Sequence, residues 1–368
     1  MKIVFLSLVL FHALIHVMGF VKGFRFAELK GLTLPVSKPI GVLWLLSAVL
    51  FLIFSVLYAT KGNYTWLLGL IAVFMSQVLI SFFWKDAKFG TLPNIIIFIV
   101  SLMGLGAFQL REEFKSRVNS DFSETTILPT GILTEKDIAH LPVAVKNYLR
   151  YTKSVGQPKL KNFKAEFSGL MYSTPDDKGI PIKTIQYNFF KNPSRYFYIS
   201  GTKMGLPVTA LHIYQNETAT FQVKLLNWFK VVDAKGKEMD RGETVTLFND
   251  MCLIAPATLI DKRIAWESVN DTLVKASFTN GGITIKAALY FNKKHELVNF
   301  MSYDRYETDG EKYHNYPWST PVEHYKMLNG YMLPGRGKVI FHKPNGDFVY
   351  GQFVYKSVNY NVTAVEQF

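Results

Sequence analysis

A single cysteine, Cys252, stands in 368 residues, which excludes an intrachain disulfide and a zinc site built on cysteine. Also absent are the Gly-x-Ser-x-Gly elbow, the phosphate-binding glycine loop, the dinucleotide fingerprint and His-Glu-x-x-His. Those absences count against the motif-bearing hydrolases, kinases and dehydrogenases. The formal charge is +13, yet no basic run or stripe concentrates it, so nucleic acid is not an expected partner.

Charge itself is missing from four stretches. Residues 3–20, 40–60, 64–84 and 92–110 contain no Lys, Arg, Asp or Glu, and each approaches the roughly 20 residues that cross a bilayer core. Trp44, Trp66, Trp84, Tyr58 and Tyr64 fall near their ends, as interfacial anchors do. Four transmembrane helices in residues 1–110 are therefore expected. The first begins like a signal peptide behind Lys2, but no small-x-small cleavage site follows, so it is expected to be retained.

Orientation follows from basic residues in the short loops. Lys22, Arg25, Lys30, Lys38, Lys85 and Lys88 lie on one side, against Lys2, Lys61, Arg111, Lys115 and Arg117 on the other. By the positive-inside rule this balance puts both termini and the C-terminal domain outside the cytoplasm.

Within the spans, His12, His16, Gly19 and Gly23 share one helical stripe. Imidazoles in lipid seek partners and small residues admit a neighbouring helix, so the stripe should face the bundle. Counted from the span centres, Ser47, Gln77 and Asn94 lie at the depth of His16, and the five polar residues are expected to form one intramembrane cluster. Two His four residues apart are compatible with a haem, a metal or a quinone. No carboxylate or thiolate at that depth completes a metal site, and interhelical hydrogen bonding explains the pair equally, so no cofactor is assigned.

Beyond Leu110, residues 111–134 are polar and read as a juxtamembrane linker. Thr134 then caps an expected helix over 135–151, kinked near Pro142. From Asn162 the apolar period falls from 3.6 to 2. Strands are expected over 163–172, 183–191, 195–201, 208–214, 219–223, 229–233, 273–279, 283–291, 297–306, 339–342 and 348–359. Turn signals such as Asn280-Gly281-Gly282 and Asn345-Gly346 separate them. Hairpin-sized spacing points to an antiparallel meander. Residues 242–261 are too long and too apolar for a loop and should form one or two helices on the sheet. The expected fold is thus a four-helix membrane bundle plus, over 135–368, a mainly antiparallel β domain shaped as a curved sheet or half-barrel with a helical insertion. Its aromatic richness suggests a concave aromatic lining, although ordinary core packing also accounts for it.

The histidines after Leu110 (His140, His212, His295, His314, His324, His342) are dispersed without metal-ligand spacing. The densest constellation is Asp304-Arg305-Tyr306-Glu307, then the loop from Tyr313 to Trp318 and Glu323-His324-Tyr325. Arg305 there would either fork onto an anionic head group or form an ion pair under a long hairpin loop. Arg305, Trp318, Tyr325 and Trp266 are the candidate ligand-binding residues.

Several of these segments resemble a family of bacterial membrane proteins of unknown function, DUF6544. They are Leu141-Pro142 with Tyr148-Leu149-Arg150; residues 248–259 ahead of Ile264-Ala265-Trp266; Arg305, Trp318, Tyr325, Gly330 and Pro334 in order; and, in the membrane part, 11–16 and 19–24. The resemblance implies a bacterial inner-membrane location and brings no activity. The strand order with one helical insertion also looks like the open half-barrel of LolA-type lipoprotein carriers, which implies a lipid or other apolar ligand. Three functional readings follow: a membrane-tethered module binding lipid or another apolar ligand, a scaffold or sensor for a protein partner, and a redox or metal enzyme using His12 and His16.

Overall fold

A computed structural model describes residues 2–29, 31–125, 131–308 and 312–366. It divides into two units, Met1–Leu110 and Arg111–Phe368. Residues 126–130 of the expected linker, and Lys30 of the charge asymmetry, lie outside the described residues.

In the first unit, α1 (Lys2–Gly23), α2 (Lys38–Thr60) and α3 (Thr65–Phe82) are followed by a short α4 (Trp84–Ala87), a 3-10 turn (Lys88–Gly90) and α5 (Thr91–Thr125). Four helical stretches are long and apolar enough to cross a membrane, as expected: α1, α2, α3 and Trp84–Phe122. A helix satisfies its backbone groups internally, the condition lipid imposes on any spanning segment other than a closed barrel. Leu14, Ile53, Phe74 and Ile99 are exposed on the outside of these helices, whereas small residues close the inside. Gly23 on α1 and Gly41 on α2 meet so closely that a Cβ on either would come within 3.1 or 3.3 Å of the other's Cα. Side chains there would force the two helices apart.

The second unit opens with residues 111–125 of α5, then α6 (Glu135–Ile138) and α7 (Val143–Tyr151). Thr134 and Asp137 form a reciprocal capping box at the start of α6, and the expected kink is a break across Pro142. A meander follows: β1 (Asn162–Met171), β2 (Ile180–Phe189), β3 (Ser194–Lys203), β4 (Leu206–Gln215), β5 (Thr218–Leu225) and β6 (Phe229–Lys235). The expected helical interruption comes next as α8 (Lys237–Leu253) and a 3-10 turn (Pro256–Ile260). A second meander runs through β7 (Ile264–Asn270), β8 (Leu273–Asn280), β9 (Ile283–Phe291) and β10 (Leu297–Ser302). Six short strands follow: β11 (Tyr306–Thr308), β12 (Tyr313–Asn315), β13 (Trp318–Ser319), β14 (Val322–Glu323), β15 (Lys326–Leu328) and β16 (Tyr331–Leu333). Two long ones close the unit, β17 (Arg336–Lys343) and β18 (Gly346–Tyr360).

Fourteen of these strands make one antiparallel sheet in the order β6-β5-β4-β3-β2-β1-β18-β17-β13-β10-β9-β8-β7, with β14 also on β17. Helix α8 touches β5 and β6 from one end of that order and β9 and β10 from the other. The sheet therefore curls around the helix as a half-barrel. From Gly242 to Leu253 every residue of α8 is buried. The concave face is thus filled by α8, and its aromatic residues serve as core: Phe248 stacks on Phe278 at 5.3 Å between centroids and meets Phe300 edge-on at 5.7 Å.

Several local features depart from expectation, among them the short strands β12 to β16 within residues 313–333 and the division of the strand expected over 297–306 into β10 and β11. Residues 111–125 of the expected juxtamembrane linker are the last turns of α5, because Phe114, Val118 and Phe122 recur at four-residue spacing and form a buried stripe. That stripe lies on the outer face of β2 and β3, with Phe114 5.8 Å from Tyr198 and Phe122 5.1 Å from Phe189. Strand β7 was not foreseen because it is a sheet edge, mostly exposed, with no alternation to read.

Candidate functional site

Polar groups concentrate in two places, one per unit. In the first unit His12 and His16 are both buried on α1, with ring centroids 4.5 Å apart. His16 Nδ1 lies 2.9 Å from the His12 carbonyl, which only accepts, so Nδ1 carries the proton and Nε2 accepts from Ser76 Oγ at 2.8 Å. Ser76 Oγ in turn accepts from Asn94 Nδ2 at 2.9 Å, and Asn94 Oδ1 accepts from His12 Nε2 at 2.9 Å. Donors and acceptors close into a ring with both imidazoles neutral. Asn94 Nδ2 also reaches Gln77 Oε1 at 3.0 Å.

Of the five expected residues, the structure brings His12, His16, Asn94 and Gln77 into one network. Ser47 is buried on α2 without a hydrogen-bond partner for its hydroxyl. Ser76, the bridge of the ring, was missed because depth counting favours its neighbour Gln77. His12 Nδ1 is buried and unpartnered, while both nitrogens of His16 are engaged. A metal bridging the two imidazoles would have to break the bonds of His16. Among the described residues no three His, Cys, Asp or Glu side chains come together as a metal site.

In the second unit, α8 carries Glu243 and Asp250 into the half-barrel seven residues apart, on one helical face. Register places their partners on the inner face. Gln186 pairs with Phe197, Asn188 with Arg195, and Phe197 with His212. Arg195 Nε donates to Asp250 Oδ2 at 2.7 Å, and its Nη1 to Glu243 Oε2 at 3.2 Å. Gln186 and Asn188 donate to the same Asp250 oxygen at 2.7 and 3.0 Å. Arg305 Nη2 lies 3.2 Å from Glu243 Oε1, and Thr246 donates to that oxygen at 3.0 Å. His212 Nε2 stands 3.2 Å from Oε1 without hydrogen-bond geometry.

Burial opposes the charge on Glu243, and Arg195, Arg305 and the Thr246 hydroxyl together outweigh it, holding the carboxyl below its ordinary range. Burial lowers the His212 pKa to about 3 against the pull of Glu243, so this imidazole is neutral at ordinary pH. For Asp250, burial prevails over Arg195 and Asn188 and pushes the carboxyl up. Two cations facing two carboxylates in the buried interior act as a clamp on α8, since the loss of either sign would leave buried charge uncompensated.

Of the four expected ligand-binding residues, Arg305 and Trp318 come together, with the guanidinium 5.6 Å from the ring centroid. Trp318 Nε1 also donates to Tyr350 at 2.9 Å. Tyr325 and Trp266 stand apart from them. Tyr325 donates to the Leu297 carbonyl at 2.8 Å and packs on Tyr151, whereas Trp266 packs on Phe248. Arg195, His212, Glu243 and Asp250 were missed. Their one visible signal is a pair of acids at helical spacing inside an otherwise apolar segment.

Open space lies away from this clamp. A cavity of about 550 Å³ opens where β1, β2 and β3 end, lined by 168–170, 181–183 and 200–202. Register sets Gly169 and Gly201 on either side of Ile182 there, and Leu170 and Pro181 add apolar walls. A second cavity, about 280 Å³, lies between residues 159–161, Phe190, Lys191 and the 3-10 turn after α8.

A curled antiparallel half-barrel closed on a charged helix, joined in sequence to four helices long enough to span a membrane, defines the class. The chain belongs to the family of unknown function DUF6544, whose profile matches residues 131–353. Among solved structures, a DUF1329-family protein from Desulfovibrio piger is similar at 11% identity and a TM-score of 0.35, over 60% of this chain and 93% of that one. A LolA-superfamily protein from Nitrosomonas europaea is similar at 11% identity and a TM-score of 0.31, over 60% and 95% of the respective chains. No curated protein matches.

Proposed function

We propose that this is a membrane-anchored binding protein whose half-barrel receives an apolar chain of the lipid class at the open cavity across β1, β2 and β3. The observation that carries the reading is that cavity. Its volume of about 550 Å³ falls within the range of small-ligand sites, and its walls are apolar with Ser168, Lys183 and Ser200 among its polar lining. In this reading Arg305 and Trp318 hold α8 in place and do not touch the ligand, and Tyr325 and Trp266 belong to the packing around it. The ring of His12, Ser76, Asn94 and His16 fastens α1 to its neighbours without a cofactor. The second unit is assigned to the outer face of a bacterial inner membrane.

Lipid extraction from full-length protein purified in a lipid-free detergent tests the reading. Wild type should carry lipid in near-stoichiometric amount, and Ser200→Trp, which fills the cavity from its mouth, should lose most of it. Equal lipid content in the two proteins would overturn the assignment.

A further inference from the structure

Two hairpin tips carry an anomaly that folding does not explain. At the β3–β4 turn the central residues Met204 and Gly205 have φ of 51° and 82°, and at the β5–β6 turn Leu226 and Asn227 have φ of 54° and 63°. Such mirror-image turns favour Asn, Asp or Gly at both positions, because other side chains are strained there. The first position of each nevertheless holds an apolar residue, and Met204 is 94% exposed. Neither strand pairing nor burial of Met204 accounts for that choice.

The anomaly is local. The two tips are neighbours, since Leu226 N donates to the Pro207 carbonyl at 2.8 Å, and around them Leu206, Trp228, Phe229 and Val231 are all exposed. At the opposite end of the same strands the β4–β5 turn has the same positive φ at Asn216 and Glu217, but both of its residues are polar. Lys203, Lys224 and Lys230 stand on the tip strands; Lys203 lies 4.0 Å from Asp177 and Lys230 pairs with Asp233 on β6, exposed ion pairs weak enough for a lipid phosphate to replace the carboxylate. Asp121 meets Tyr196 near the start of β3 and Phe114 meets Tyr198 further along, so α5 leads back to Arg111 in the direction of the β3–β4 tip. Residues 111–125 thus enter this unit from the tip side of the strands.

We propose that the β3–β4 and β5–β6 tips dock into the headgroup region of a bilayer containing anionic lipid. Met204, Leu206, Trp228 and Phe229 enter the interface, and the three lysines meet lipid phosphates while their stems lie along the apolar surface. Trp is the side chain best suited to that depth. The inference stands apart from the ligand reading above, because it concerns the surface of the tips and not the cavity.

The test uses the full chain in nanodiscs of phosphatidylcholine, with or without phosphatidylglycerol. An environment-sensitive fluorophore is placed on Met204→Cys, Phe229→Cys or Asn216→Cys; buried Cys252 leaves the wild type as the unlabelled background. Lipid bearing a shallow nitroxide should dim the labels at 204 and 229 on the order of twofold or more, with aqueous iodide having little effect, and anionic lipid should sharpen the contrast. The label at 216 should show the reverse. If 204 and 229 respond to iodide as 216 does, the tips stand in water and the proposal fails. If they are shielded from both quenchers, a protein surface or a second copy covers them, and the proposal fails equally. Should Met204→Cys not fold, Phe229→Cys and Val231→Cys occupy strand positions and give the same readout.

Discussion

Arg195 Nε donates to Asp250 Oδ2 at 2.7 Å in the interior of the half-barrel, with the two side chains 6% and 8% exposed. The pair joins the middle of the sheet to the helix inside it. Removing Arg195 leaves Asp250 without its cation, and removing Asp250 leaves Arg195 with Glu243 alone; breaking a buried pair of this kind typically costs about 3–5 kcal/mol. Arg195→Ala and Asp250→Ala should each lower the unfolding free energy of the second unit by that order. Replacing both with apolar residues of similar size should recover much of the loss, measured by chemical denaturation followed by tryptophan fluorescence.

His212 gives that clamp a pH dependence. Its pKa falls from 6.5 in the unfolded chain to about 3 in the fold, so between those values the unfolded state binds the proton and the folded state does not. Stability therefore rises with pH across that window and is lost as pH falls below 6.5. Between pH 7 and pH 5 the loss amounts to about 2 kcal/mol. His212→Gln should flatten this part of the stability profile relative to wild type, and an unchanged slope would show that the imidazole is not buried neutral.

Phe248 is fully buried between Phe278 and Phe300. Truncating a phenylalanine so placed costs about 3–5 kcal/mol. Phe248→Ala should lower the melting temperature far more than Phe229→Ala, because Phe229 is 65% exposed.

In the membrane unit, the hydrogen-bond ring predicts coupling. Asn94→Leu and His16→Leu each open the same ring, so the double variant should lose clearly less stability than the sum of the two singles, with individual effects of about 1–2 kcal/mol. Thermal denaturation in detergent across the four proteins of the cycle measures it, and strict additivity would show that the ring does not act as a unit.

Much of this architecture was legible before the structure. The spans declare themselves by what they lack, the strands by period and turn residues, and α8 by an apolar segment too long for a loop. Residues 111–125 were obscured because their buried stripe is only Phe114, Val118 and Phe122 among many charges. The clamp was obscured for a different reason. Arg195 and Asp250 are 55 positions apart and meet only through the curl of the sheet around α8, so neither element's own sequence marks the pairing. The ring around His12 and His16 was half visible: helical spacing aligns the imidazoles, but only the packing of α3 decides that Ser76 is the bridge.

The central claim is that an apolar chain occupies the cavity across β1, β2 and β3. Its most direct test is photo-crosslinking of full-length protein in membranes containing a phospholipid with a diazirine on its acyl chain, with adducts mapped by peptide mass spectrometry. The account predicts adducts within 168–170, 181–183 and 200–202, removed by competition with unmodified lipid. Adducts confined to the apolar helices of residues 2–110, with none in those three segments, would contradict it.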